Sequence, residues 1–526
     1  MAAKKQSVDE FSTQLSAQIW GHRFKDGQRG PEYVLEFLNV LKGTNYDFGA
    51  NSYSRVRATG LRQFIFEGDK EGSKAGIVSL TTEQRESLYG LVENRDELNV
   101  IRDFFRNLEV PLADGTGKPA NRSWYAKTLY PLHESLLFFE LRTLSKDGEK
   151  SYNFERNFFA RGGELYFLML SYGTETNLEL REKIESRLQF LLCKNKSIEN
   201  IVSKISSQLE NEKISDFYPL KNEAGTSKEY PVLPVTNDPI YTEFAEEFSK
   251  LIHLNIDIYE LFELMTSLIT FQLGRYMLKR AQLNNSSKIT LFFDCLDAQV
   301  GPIQTLSSRS FNENELLIKN KFEDFFKQSF KEKIPSIEFV DQNLNMWKED
   351  PDSLIELLGL SRLSKVRKNK VAKVIQECHN YEKVMAKLFD VVKDIVSDQL
   401  KRHQLSIMRG LTRDGGYGGF RRGSKYRYFM SDTFIQALVY ANLEPGKQTE
   451  FHTFLEKIYD KYGFIIGELQ AKKDGIYETS KLNVNYFQRN EYALREKLRH
   501  NGLLIEYSDA TAMIRNPYEH AGQVSE

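Results

Sequence analysis

The first strong apolar pattern along the chain is Tyr33, Val34, Phe37, Leu38 and Leu41, recurring at three- and four-residue steps behind Gly27, Gly30 and Pro31. Proline suits a first helical turn and Gly43 a stop, so the spacing predicts a helix. The loop before it carries His22, Arg23, Lys25 and Arg29 and reads as a solvated surface loop. Residues 61–67 and 75–80 predict short strands about a polar turn. Helical spacing returns over residues 82–108, 124–144, 154–171 and 178–210. Pro219, Gly225, Pro231, Pro234 and Pro239 then break the pattern and mark a linker. Residues 241–282 are helical again, and 288–294 have strand character. The run 251–278 is the most apolar, but Asp257, Glu260, Glu263 and Arg275 interrupt it. A membrane span needs about 20 nearly uncharged residues, so this run predicts a buried helix.

Beyond Pro351, Val371, Val374, Cys378, Tyr381, Met385, Leu388, Val392 and Ile395 alternate three- and four-residue steps, and Ile375, Val384 and Val391 widen the stripe. That pattern predicts one long helix packed in a bundle. The end of the chain predicts a helix from Asp432, a second over 449–462 and a third over 489–500 that stops at Asn501-Gly502. Short strands at 503–507 and 511–515 follow. Three helices and a hairpin are the order of a winged helix, so the piece from Ser431 is expected to fold by itself.

The fold class expected is mainly α with small β elements, multidomain, with a helical bundle core and a C-terminal winged-helix-like module. The boundaries expected are an N-terminal helical domain over 1–214 with a small β element, a linker over 215–240, and a central α/β domain over 241–350. The long helix and a basic stretch occupy 351–430, and the winged-helix-like domain 431–526.

Charge changes the picture locally. Seventy-two Lys and Arg stand against 73 Asp and Glu, a net of −1, so any anionic partner must meet a patch. Residues 401–434 supply one: Lys401, Arg402, Arg409, Arg413, Arg421, Arg422, Lys425 and Arg427 face only Asp414 and Asp432. Glycines and the rings of Tyr417, Phe420, Tyr426 and Tyr428 are interleaved. Cations and flat rings on a yielding backbone suit phosphates and exposed bases. Lys365 and Lys368 belong to a second basic run before the long helix. Arg489, Arg495, Lys497, Arg499 and His500 load the third C-terminal helix, which in a winged helix can enter a major groove.

Other chemistry is sparse. Cys193, Cys295 and Cys378 lack zinc or disulfide spacing, which fits a reducing compartment. The N-terminus lacks the apolar run of a secretory signal, so a cytoplasmic protein without a membrane span is expected. Gly115, Gly117 and Lys118 sit in a loop over 110–122, but Pro119 stands where a phosphate loop needs Ser or Thr. Asp294 and Asp297 close a strand, the placement a metal-dependent nuclease uses, without the expected basic partner nearby. No catalytic residue, metal or cofactor is assigned.

The segments HTFLEKIYDKYGFIIGE and LREKLRHNGLLIEYSDATAMIRNPY resemble the ends of uncharacterised accessory subunits from bacterial DNA-restriction and anti-phage defence gene clusters. The resemblance covers only the region after His452. It implies a large subunit working beside an ATPase, a nuclease or a DNA-modifying enzyme. The expected function is therefore a non-catalytic DNA-binding subunit of such an assembly. The alternatives are a protein scaffold linking an ATPase to an effector, with 371–395 as its assembly face, and a metal-dependent nuclease using Asp294 and Asp297.

Overall fold

The computed structural model describes residues 8–22, 24, 28–56, 58–69, 77–112, 124, 127–137, 141–146, 149–154, 161–209, 215–221, 231–282, 288–359, 363–420, 425–507 and 511–520. It is mainly helical, with 65% helix and 7% strand. Helix Ile258–Ala281 is its axis. Leu261, Phe262, Met265, Leu268, Ile269 and Phe271 are buried on every side of it, and a helix apolar all round has to be enclosed. Helices Gly30–Gly43, Pro239–Ile252, Gly301–Lys333, Phe389–Asp414 and Asp432–Asn442 pack against it. One apolar core therefore runs from Leu15 to Ile514. A satellite cluster of Leu61, Phe64, Trp124, Ile198, Val202 and Ile205 forms beside it. Among the described residues no helix is long and apolar enough to cross a membrane.

Helix Gly30–Gly43 has Pro31 in its first turn, as the pattern requires. Elsewhere the structure corrects the pattern. Residues 59–65 form a helix and not a strand, because Leu61, Phe64 and Ile65 share one helical face and are buried on it. Among the described residues of 124–144 there is no α-helix; after Pro131 and the His133 cap comes a single turn, Glu134–Leu136, and then strand Leu141–Lys146. That strand pairs with Glu149–Phe154, and the helix predicted from 154 starts at Gly162. The proline-rich stretch contains strand Ser215–Pro219, paired with Ser52–Val56, and Val232 donates its amide to Gly21 O.

The long seam splits into Lys365–Gln376 and a second run from Tyr381 to Asp414, with Asn380 capping the restart. Its Val371, Ile375, Cys378, Val384, Leu388 and Val392 are buried. These seam positions are interior. At the C-terminal end, helices Asp432–Asn442, Phe451–Tyr462 and Val484–His500 stand with an antiparallel sheet. Its strand order is Leu504–Glu506, Ala512–Arg515, Gln448–Glu450. The third strand and the insert between the second and third helices are additions to the pattern.

A buried carboxylate ties helix Gly30–Gly43 to helix Gly162–Gly173. Glu36 accepts hydrogen bonds from Gln28 Nε2, Arg161 N and Gly163 N, each at 2.8 Å. Burial pushes its pKa up to about 7, against the pull of those hydrogen bonds. The folded chain thus keeps a proton that the unfolded chain releases above about 4.5. This group's stabilisation is full below that pH, declines as pH rises to about 7 and is absent above it. Urea midpoints of Glu36→Gln are expected to lack that decline; identical pH profiles for variant and wild type would refute it.

Candidate nucleic-acid interface

The basic stretch forms a hairpin whose root and tip differ in chemistry. Helix Phe389–Asp414 ends at Gly415, where any Cβ would lie 2.4 Å from Thr270 Oγ1. Gly416 follows at φ +74°, a left-handed conformation suited to glycine. Strands Gly418–Gly419 and Arg427–Tyr428 then pair antiparallel. Tyr428 bridges to Phe293, and Leu291–Phe292 runs parallel to Phe464–Ile465.

The root is interior. Tyr417 is buried, and its hydroxyl donates to Thr270 O at 3.3 Å. Arg427 is 1% exposed, with its Nε 2.8 Å from Asp294 Oδ2. Asp294 also accepts the amides of Leu296 and Ala298, at 3.0 and 2.9 Å, across a turn with positive φ at Asp297 and Ala298. Lys497 Nζ reaches Asp297 Oδ1 at 3.0 Å and Met430 O at 3.2 Å. Two assignments are thereby corrected: Tyr417 and Arg427 hold the hairpin down, because both are sealed from solvent. The same bonds commit Asp294 and Asp297 to Arg427, Lys497 and a turn. Among the described residues no group of three or more His, Cys, Asp or Glu is placed to hold a metal.

Towards the tip the residues open outward. Tyr426 is half-buried, its ring 4.6 Å from that of Phe311 and its hydroxyl 2.7 Å from Arg409 O. Arg409 is exposed but clasps Glu315 through Nε and Nη2, at 2.5 and 2.8 Å. Arg413 Nε pairs with Asp414 at 2.9 Å. Phe420 is 62% exposed and Lys425 is exposed. Arg421 and Arg422, between them, lie outside the described residues.

The other basic candidates divide in the same way. Lys365 is exposed, whereas Lys368 pairs with Asp352 at 3.0 Å. On helix Val484–His500, Arg495 pairs with Glu506 at 2.7 Å and Arg499 with Glu496 at 2.5 Å. Such surface pairs contribute about 0–1 kcal/mol, so a phosphate can displace the carboxylate at little cost. Phe487, Asn490, Leu494 and Leu498 face inward on this helix. Asn485, Gln488, Arg489, Tyr492 and Arg499 form its exposed stripe. Tyr492 and Tyr507 escaped the sequence reading, although Tyr492 falls at helical spacing between Arg489 and Arg499. Lys497 links this helix to the hairpin root, and Asn501 Nδ2 donates to Asp432 Oδ1 at 3.0 Å. The chain matches no family model, no curated protein and no solved structure.

Proposed function

We propose that this chain is a DNA-binding subunit of a prokaryotic DNA-restriction or anti-phage defence assembly, acting without a catalytic centre of its own. The observation that supports it most is the hairpin. A buried root carries Phe420 and Lys425, both exposed, and in the sequence these two flank Arg421 and Arg422. The C-terminal unit supports the same reading. Helices Asp432–Asn442, Phe451–Tyr462 and Val484–His500, with strand Gln448–Glu450 beside Ala512–Arg515, are compatible with a winged helix that carries strand Phe464–Ile465 and helices Glu468–Lys473 and Ile476–Ser480 as an insert. Its third helix would then offer Arg489, Tyr492, Arg495 and Arg499 to a groove. The defence setting rests on the resemblance of the tail alone, and partner subunits such as an ATPase or nuclease follow from it.

The test is the salt dependence of DNA binding. Changing Arg421, Arg422 and Lys425 together to Ala is expected to weaken binding on all sequences. It should also reduce the log–log salt slope by about 2.7, at roughly 0.9 per phosphate contact. Arg427 is left intact because its removal would unsettle the root. Unchanged affinity and slope, with an unchanged thermal midpoint, would reject the reading.

A further inference from the structure

Three loops that stand far apart in the chain meet at the foot of the hairpin. They are the start of helix Gly30–Gly43, the pair Val110-Pro111, and residues 413–416, and they enclose a cleft of about 340 Å³. Small-molecule sites span roughly 300–1,000 Å³, so the space suits one compact ligand. Close packing fixes the meeting point. Gly30 N donates to Asp414 Oδ2 at 2.9 Å, and a Cβ on Gly30 would lie 2.9 Å from both Asp414 Cβ and Thr266 Cγ2.

One wall is flat and apolar, made of Pro31, Val110, Pro111, Tyr130 and Phe262, the two rings edge to face at 5.4 Å. The other wall is polar, and most of its groups are already satisfied. Asp414 takes Arg413 Nε and Gly30 N, Ser267 donates to Gly415 O at 2.7 Å, and Thr266 donates to Phe262 O at 2.9 Å. Ser431 Oγ accepts from Phe434 N at 3.2 Å. Arg413 Nη2 remains, buried and without an acceptor among the described residues. Glu263 and Thr433 also line the cleft, with no hydrogen-bond partner among the described residues. A buried guanidinium nitrogen left unpaired is expensive, so an acceptor in the cleft would be favoured there.

Asp414 and Glu263 offset Arg413, so the cleft has no cationic excess to hold a phosphate. A neutral planar ring with both acceptors and donors along its edge fits the two walls better. We propose that this cleft takes a nucleobase, its edge towards Arg413 and Glu263 and its apolar surface towards Tyr130 and Phe262. Guanine suits it best, because O6 and N7 stand side by side for a guanidinium while its ring and amino N–H groups face a carboxylate. The base can come from a free mononucleotide or from a nucleotide turned out of a strand. The second source rests on the DNA-binding reading; the first does not.

The experiment titrates the full chain with deoxyguanosine monophosphate and the three other deoxymononucleotides, and separately with a single strand in which a guanine stands beside 2-aminopurine as the fluorescent reporter. Wild type, Arg413→Ala and the cleft-filling Pro111→Trp are compared, with thermal midpoints as the folding control. Binding of the guanine nucleotide should be strongest and should fall at least about tenfold in both variants, since a bidentate base contact discriminates by about 1–3 kcal/mol. If only the strand probe responds, and does so through Arg413, the base is an extruded one and the proposal stands in that form. The tip variant lacking Arg421, Arg422 and Lys425 should keep mononucleotide binding while losing strands, which separates failure of the DNA reading from failure of this one. No mononucleotide binding together with a 2-aminopurine signal indifferent to Arg413 and Pro111 would overturn the proposal.

Discussion

Replacing Glu247 by Ala is expected to lower unfolding free energy by about 3–5 kcal/mol, the range for breaking a buried ion pair on one side. The carboxylate is fully enclosed between two core helices and the C-terminal unit. Oε1 receives Lys461 Nζ at 2.6 Å, Tyr462 OH at 2.9 Å and Arg275 Nη1 at 3.2 Å, while Oε2 accepts Gln272 Nε2 at 2.8 Å. Alanine would leave two cations facing a void, although Arg275 would retain Glu243 at 2.9 Å. Burial alone would raise the Glu247 pKa; the Arg275 and Lys461 charges outweigh it and hold the group below the usual carboxylate range. Its stabilisation is therefore complete above the unfolded value of 4.5 and is lost as pH falls through the lower folded value. Urea titrations at pH 7 and at successively lower pH check both parts. The gap between wild type and variant should be widest at pH 7 and close in acid. A gap under about 1 kcal/mol at pH 7 would show that the cluster contributes little.

That cluster also bears on how the C-terminal unit relates to the rest. Phe434, Tyr462 and Phe464 each stand against Phe271 of the axial helix, with centroids 5.2 to 5.6 Å apart. The helix pattern of the unit was legible in the sequence because it needs only local spacing and the Asn501-Gly502 stop. These ring contacts were not, since nothing near Phe434 in sequence names a partner 163 positions away. The basic stretch shows the same limit more sharply. Glycine, arginine and tyrosine compose both a loop that receives phosphates and a joint where backbones pack closely, and local composition does not separate them. Gly415 is there for contact with Thr270, and Arg427 answers a carboxylate 133 residues upstream. At the tip, Phe420 and Lys425 are exposed. Residues 61–65 failed for a different reason. Leu61, Phe64 and Ile65 fit a helical face, yet their run of bulky side chains over so few positions looks like a strand until burial decides.

The hairpin root supplies the other large effect, and it separates structural arginine from ligand-binding arginine. Asp294→Ala removes the carboxylate beside the buried Arg427 guanidinium and two acceptor bonds to the turn at Leu296 and Ala298. A loss of about 3–5 kcal/mol is expected, because the remaining charge stays desolvated. Arg427→Met alone should cost a similar amount, since Asp294 then keeps only the turn amides. The double variant Asp294→Ala with Arg427→Met should lose clearly less than the sum, as neither charge is left facing an empty site. Chemical unfolding of the four proteins closes this cycle. DNA affinity, measured below the unfolding transition, should be nearly unchanged in Arg427→Met while the tip variants lose it. Additive stability losses would show that the two side chains do not act as a pair. A weaker salt slope in the still folded Arg427→Met would return that arginine to the nucleic-acid surface.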